Sequence, residues 1–195
     1  MPSSMVHLMT AREYFPDASA EFWVGSGFAP DCITGRDERE HFHFRDKADR
    51  EPSLIKFAGS IEKGDFFAMG MLLHLFTDWK WDWSLLQRYI KNHNSGDWYK
   101  SYHDEVGILS ARLYHDNPWI AEIWYEMEKC DIAALIRPYK EIDGDILSMI
   151  KRTDKFHKEN PSAEPAFYSM GEAISFAAVT AEDFRGWLGG IGVRG

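Results

Sequence analysis

Only two cysteines, Cys32 and Cys130, occur in the 195 residues, far apart and outside any CxxC pair. Neither a disulfide framework nor a thiolate zinc site is indicated, and both thiols read as free. Long apolar runs are missing too. The longest, Phe66 to Phe76, is too short to cross a bilayer and is interrupted by His74. The opening MPSSMVHLMTAREYF has no basic region ahead of an apolar one and no small-residue cleavage site, so a cytoplasmic chain without a secretion signal is expected. Positive charge is in deficit, with 22 Lys and Arg against 31 Asp and Glu and a formal net charge of -9. That balance argues against nucleic acid or anionic lipid held over a broad surface, although a local group of cations can still accept a phosphate. β-branched alternation never persists, which leaves little room for strands.

What is present is apolar material: 45% of residues are hydrophobic and 15% aromatic, enough for one packed domain spanning residues 1–195. Apolar positions recur at helical spacing, so an all-α multi-helix bundle is expected. Ser3 or Ser4 caps a first helix through Val6 to Tyr14, ended by Pro16 and Asp17. A short second helix, Ala18 to Val24, runs into GSGFAPD, an irregular turn rich in glycine. Residues 32–63 are polar and weakly periodic and read as a long loop with short helical pieces, the kind of loop that is often functional. The central helix runs from Gly64 or Asp65 to about Ile90 and ends at NHNSGD. Further helices fit Asp97 to Tyr114, Pro118 to Cys130, Glu141 to Lys158 and Ala163 to Leu188, with GGIGVRG as a frayed tail.

The central helix poses the chemical question. In GMLLHLFTDW, His74 and Asp78 stand one turn apart on one face of an otherwise apolar helix, where burying them costs free energy unless something pairs with them. Imidazole nitrogen and carboxylate oxygen suit a divalent cation, with zinc first and manganese or iron as alternatives. Further ligands have three sources. His7 lies between hydrophobic neighbours in MVHLM, Asp31 ends the rigid APD turn, and His41 and His43 alternate with phenylalanines in EREHFHF. Each has an ordinary explanation by itself: a satisfied core histidine, a turn carboxylate, an exposed aromatic-rich loop. Together they form an ordered set of acids and imidazoles in hydrophobic surroundings. Arg36, Arg39 and Arg45, the densest arginine group in the chain, are candidates for holding a phosphate or for an ordinary solvated loop face.

Four motifs in order, PxxxxHL (Pro2, His7, Leu8), GSGFAPD (Gly25 to Asp31), RxxREHF (Arg36 to Phe42) and GMLLHLFTDWKW (Gly70 to Trp81), resemble the bacterial zinc-dependent phospholipase C family over about the first 85 residues. The resemblance implies a phospholipase C-type bundle with one or two metal ions. Asp31, His41, His74 and Asp78 would surround one ion, and His7, with Asp78 as a bridging carboxylate, would serve another. His43 replaces His41 if the register of EREHFHF is shifted. The implied activity is hydrolysis of a phosphodiester or phosphomonoester by a metal-activated water, with Asp31 as base and a small phosphate ester as substrate. The HxxxE pair that serves a third ion in that family has no counterpart after Asp78, since none of His93, His103, His115 and His157 is followed by glutamate at that spacing. Two alternatives remain open. His103-Asp104 and His115-Asp116 are the dipeptides of an HD-type phosphohydrolase, and DWKWDW, Asp78 to Trp83, is a docking surface in a non-catalytic binding module.

Overall fold

The computed structural model describes residues 1–93, 97–161 and 164–192. Among them it contains eleven α-helices, one 3-10 turn and no strand. The helices are α1 (Ser4–Tyr14), α2 (Ala20–Gly27), α3 (Arg36–Phe42), α4 (Glu51–Ser60), α5 (Phe66–Trp83), α6 (Leu85–Asn92), α7 (Trp98–Asp116), α8 (Ile120–Lys129), α9 (Ile132–Ile136), α10 (Ile146–Glu159) and α11 (Met170–Gly190). The 3-10 turn, Ala29–Asp31, follows α2 directly. No described helix is long and apolar enough to cross a membrane.

Side-chain caps set several of the starts. Ser3 accepts from the Val6 amide, Asp65 from Ala68 and Asp145 from Ser148, while Ser169 and Glu172 form a reciprocal capping box on α11. Helix α5 is buried on nearly every side from Phe67 to Asp82 and so lies in the middle of the bundle. Helices α1, α2, α4, α6 and α11 all pack against it. Its closest partner is α2, and the reason is a pair of glycines. A Cβ at Gly25 would overlap the Phe67 carbonyl oxygen, and one at Gly70 would overlap the Phe22 carbonyl oxygen. The two backbones therefore touch where any other residue would hold them apart.

Several boundaries differ from the sequence expectation. The stretch expected as a long loop over residues 32–63 carries α3 and α4; its weak periodicity reflects how little of it is buried, with only Leu54 and Ala58 of α4 in the core. The central helix stops at Trp83 rather than continuing to Ile90, because Ser84 leaves helical geometry (φ -120°, ψ -85°) without a glycine or proline to announce it. Helix α10 begins after the Asp145 cap, not at Glu141, and the last helix begins after the Ser169 cap and extends to Gly190. The expected start at Ala163, the centre of NHNSGD and the last three residues of the tail lie outside the described residues.

Between α7 and α10, His157 is fully buried and its Nε2 lies 2.8 Å from the Ser110 hydroxyl. Burial pushes its pKa down to about 4, from 6.5. The unfolded chain therefore binds a proton that the fold refuses, so stability is full above pH 6.5 and is lost as pH falls toward 4.

Two outcomes are expected. Gly70→Ala forces α2 and α5 apart and lowers unfolding free energy by about 2–3 kcal/mol in urea titration, because the obstruction is backbone that cannot rotate away. Between pH 7 and pH 4.5 the native chain loses about 2 kcal/mol more stability than His157→Gln, measured in the same way.

Candidate metal centre

His74, Asp78 and Asp82 follow one another at four-residue steps on α5 and form a single polar stripe down a buried helix. The ring of His74 is oriented by the glycine contact above it. Its Nδ1 lies 2.9 Å from the Ser26 carbonyl of α2, and since a carbonyl can only accept, Nδ1 carries the proton and Nε2 presents a lone pair. The same logic applies to His43, the residue that closes α3. Its Nδ1 donates to the Arg39 carbonyl at 2.8 Å, which turns Nε2 toward Asp31 and Asp78. Phe44 follows with φ 55°, the one positive φ outside glycine among the described residues. This strained residue turns the chain so that His43 and Arg45 both reach α5.

Five side chains converge. His7 of α1 stacks on His74 with ring centroids 3.8 Å apart and planes 5° from parallel, and its Nε2 lies 3.4 Å from Asp78 Oδ1. His43 Nε2 is 3.3 Å from both Asp31 Oδ1 and Asp78 Oδ2. His74 Nε2 stands 3.9 Å from Asp31 Oδ2 and from Asp78 Oδ2. Two overlapping groups, His7-His74-Asp78 and Asp31-His43-His74, each bring three ligand atoms within 4.8 Å of one another. The three Nε2 atoms and Oδ1 of Asp31 and Asp78 are buried without a hydrogen-bond partner. Those are costly orphans in a protein interior, and a cation in either group would satisfy the members of that group. The spacing fits as well: atoms held about 2.1 Å from one tetrahedral ion stand about 3.4 Å apart. Three imidazoles and two carboxylates suit zinc, manganese or iron.

The electrostatics keep the donors ready. Burial works against the charge of Asp78, but Arg45 and the adjacent His7, His74 and His43 rings outweigh it and hold its carboxyl well below the usual range. Asp31 is likewise held low against burial by the adjacent imidazoles of His43 and His74. Burial and the adjacent His7 ring depress His74 to about 3, so it is neutral. For His43, burial is overcome by Asp31 and Asp78, and its pKa is raised. Outside these groups a second layer closes the site. Arg45 donates to Asp78 Oδ2 and Asp82 Oδ2, both at 2.9 Å, and Arg50 donates to Asp82 Oδ2 at 2.8 Å. The Met1 nitrogen lies 3.8 Å from Asp82 Oδ1 and donates to the Tyr102 hydroxyl at 3.2 Å.

Of the residues singled out from sequence, His7, Asp31, His74 and Asp78 meet, and His43 joins them in place of His41. His41 points away: its side chain is 70% exposed and its Nδ1 pairs with Asp46 at 2.9 Å. The correction follows from where α3 ends, because His43 lies one helical turn after Arg39 and can bond back to that residue's carbonyl. Arg36 is exposed, and Arg45 is engaged with two carboxylates and so is not free to receive a phosphate. Arg39 is half-buried, with an Nε that has no acceptor. The HD dipeptides belong to other contacts. Asp104 pairs with Lys100, Asp116 with Arg112, and His115 donates to the His157 carbonyl. Neither dipeptide enters a metal-capable group among the described residues. In DWKWDW, Trp81 is a core residue donating to Tyr102 at 2.7 Å, while Trp83 is 68% exposed and, with Trp79, borders a cavity of about 380 Å³.

Sequence reasoning missed Asp82 and Arg50. Asp82 had a signal, since it continues the four-residue stripe from His74 and Asp78. Arg50 had none, because only the folded path of the segment after α3 brings it to α5. No protein-family model, no curated protein and no solved structure matches this chain, so the reading of the centre rests on its geometry.

Proposed function

We propose that this chain hydrolyses a phosphate ester using a divalent cation, zinc first, held by His7, Asp31, His43, His74 and Asp78. In this reading the bundle is of the zinc-dependent phospholipase C type. The observation that carries it is the convergence of five ligand side chains from α1, the 3-10 turn, the end of α3 and α5, each with a buried atom that has no hydrogen-bond partner. A bound divalent ion supplies Lewis acidity and draws the pKa of a coordinated water from about 15.7 toward roughly 7.

The protein's own groups divide the remaining work. Asp31 is the one cluster member whose side chain reaches solvent, at 14% exposure against none for His7, His43, His74 and Asp78. It therefore marks the open side of the centre, stays ionised at neutral pH, and is placed to accept a hydrogen bond or a proton from an attacking water. Arg39 is tied to the centre through its carbonyl, which receives His43 Nδ1, and its half-buried side chain has an unmet Nε donor. A guanidinium with an unmet donor beside a metal centre suits one oxygen pair of a phosphate. Arg45 and Arg50 hold the carboxylates from behind.

Elemental analysis of protein purified without added metal, together with hydrolysis of p-nitrophenyl phosphate and bis-p-nitrophenyl phosphate, tests the proposal. His74→Ala is expected to lose both metal and activity, while His41→Ala keeps both within about twofold. Full metal content and turnover in His74→Ala would refute it. Because Asp31 and Asp78 raise the pKa of His43 against burial, a cation competes with a proton for its Nε2. Calorimetric affinity for zinc is expected to fall from pH 7.5 to pH 5.5, with proton release on binding that disappears in His43→Gln.

A further inference from the structure

Resting on the proposed metal site, we infer that the centre holds a single divalent cation, and that the guanidinium of Arg45 takes the place of a second one as a fixed positive charge on Asp78.

Three features lead there. The two metal-capable groups, His7-His74-Asp78 and Asp31-His43-His74, share His74. That ring has already given Nδ1 to the Ser26 carbonyl and has one lone pair left, on Nε2. It can serve one ion, not one in each group. A pair of ions would then depend on Asp78 as a bridge, one oxygen to each. Oδ1 faces His7 and is buried without a hydrogen-bond partner, which leaves it open to a ligand role. Oδ2 already receives Arg45 Nη2 at 2.9 Å, and that guanidinium is locked by its second bond, from Nε to Asp82 Oδ2. The positive charge a second ion would bring to Oδ2 is thus present as a side chain.

The charge balance agrees. Asp31, Asp78 and Asp82 contribute three negative charges, and Arg45 and Arg50 two positive ones, with the Met1 nitrogen beside Asp82. One divalent ion turns this cluster mildly positive, as suits an anionic substrate. A second would add two more, crowding four positive charges from the ions and two from the guanidinium groups around three carboxylates in a largely buried site. Arg45 is only 13% exposed and cannot swing into water without uncovering Asp78 and Asp82.

The test is the stoichiometry of metal-stripped protein titrated with zinc chloride by calorimetry, checked by elemental analysis after desalting and by the electron paramagnetic resonance of the cobalt(II) form. One equivalent and an uncoupled cobalt spectrum are expected for the native chain and for Arg45→Lys, which keeps the charge. Arg45→Gln, which keeps a donor and loses the charge, is expected to take up a second equivalent and show a spin-coupled pair. Two equivalents in the native chain would overturn this inference and leave the hydrolase reading standing, whereas no bound metal at all would overturn both. An unchanged single equivalent in folded Arg45→Gln would also overturn it. Should Arg45→Gln fail to fold, the native stoichiometry and cobalt spectrum decide.

Discussion

A carboxylate with no access to water governs this molecule. Asp78 is completely buried in the central helix, and an ionised group in such a place is tolerated only when positive charge and hydrogen-bond donors surround it. Helix α1 contributes His7, the end of α3 contributes His43, and the segment between α3 and α4 contributes Arg45. Elements that share little hydrophobic contact with one another are thereby tied to a common point. The polar stripe on α5 organises the bundle as much as its apolar faces do.

The second constraint is the backbone contact between α2 and α5. Two glycines let the helices touch, and that contact brings the Ser26 carbonyl within hydrogen-bond distance of His74. A tautomer is chosen by a carbonyl, the carbonyl is delivered by a helix, and the helix is admitted by the absence of two side chains. His43 is set in the same way by its own helix end, at the cost of a left-handed phenylalanine. Strain of order 1–2 kcal/mol is typical of such a residue and persists only where surrounding contacts over-determine it. Here those contacts are the His43 and Arg45 bonds on either side. Both histidines are therefore oriented with Nε2 aimed inward before any ligand arrives, which is the arrangement expected of a preorganised centre.

The arginines of this acidic chain differ in the acceptors they find. Arg45 and Arg50 are matched to carboxylates and act as structure. Arg39, of the three selected from sequence, is half-buried with an Nε that has no acceptor. Proximity in sequence could not have told them apart, because all lie within fifteen positions of one another.

The sequence by itself determined the helical class, the stripe containing His74 and Asp78, and the identities of His7 and Asp31 as polar residues in apolar company. Those features are local: helical periodicity, turn chemistry and the cost of burying charge can be read from neighbours along the chain. Only the tertiary structure decided that His43 rather than His41 enters the centre, that Arg45 is held by Asp78 and Asp82, and that Asp82 and Arg50 belong to the same network. Each of these depends on where α3 stops and how the chain bends at Phe44. A helix end shifted by two residues moves a side chain from core to solvent, and no local pattern in EREHFHF records that choice, because the partners that favour it, Asp31 and Asp78, lie on other elements of the fold.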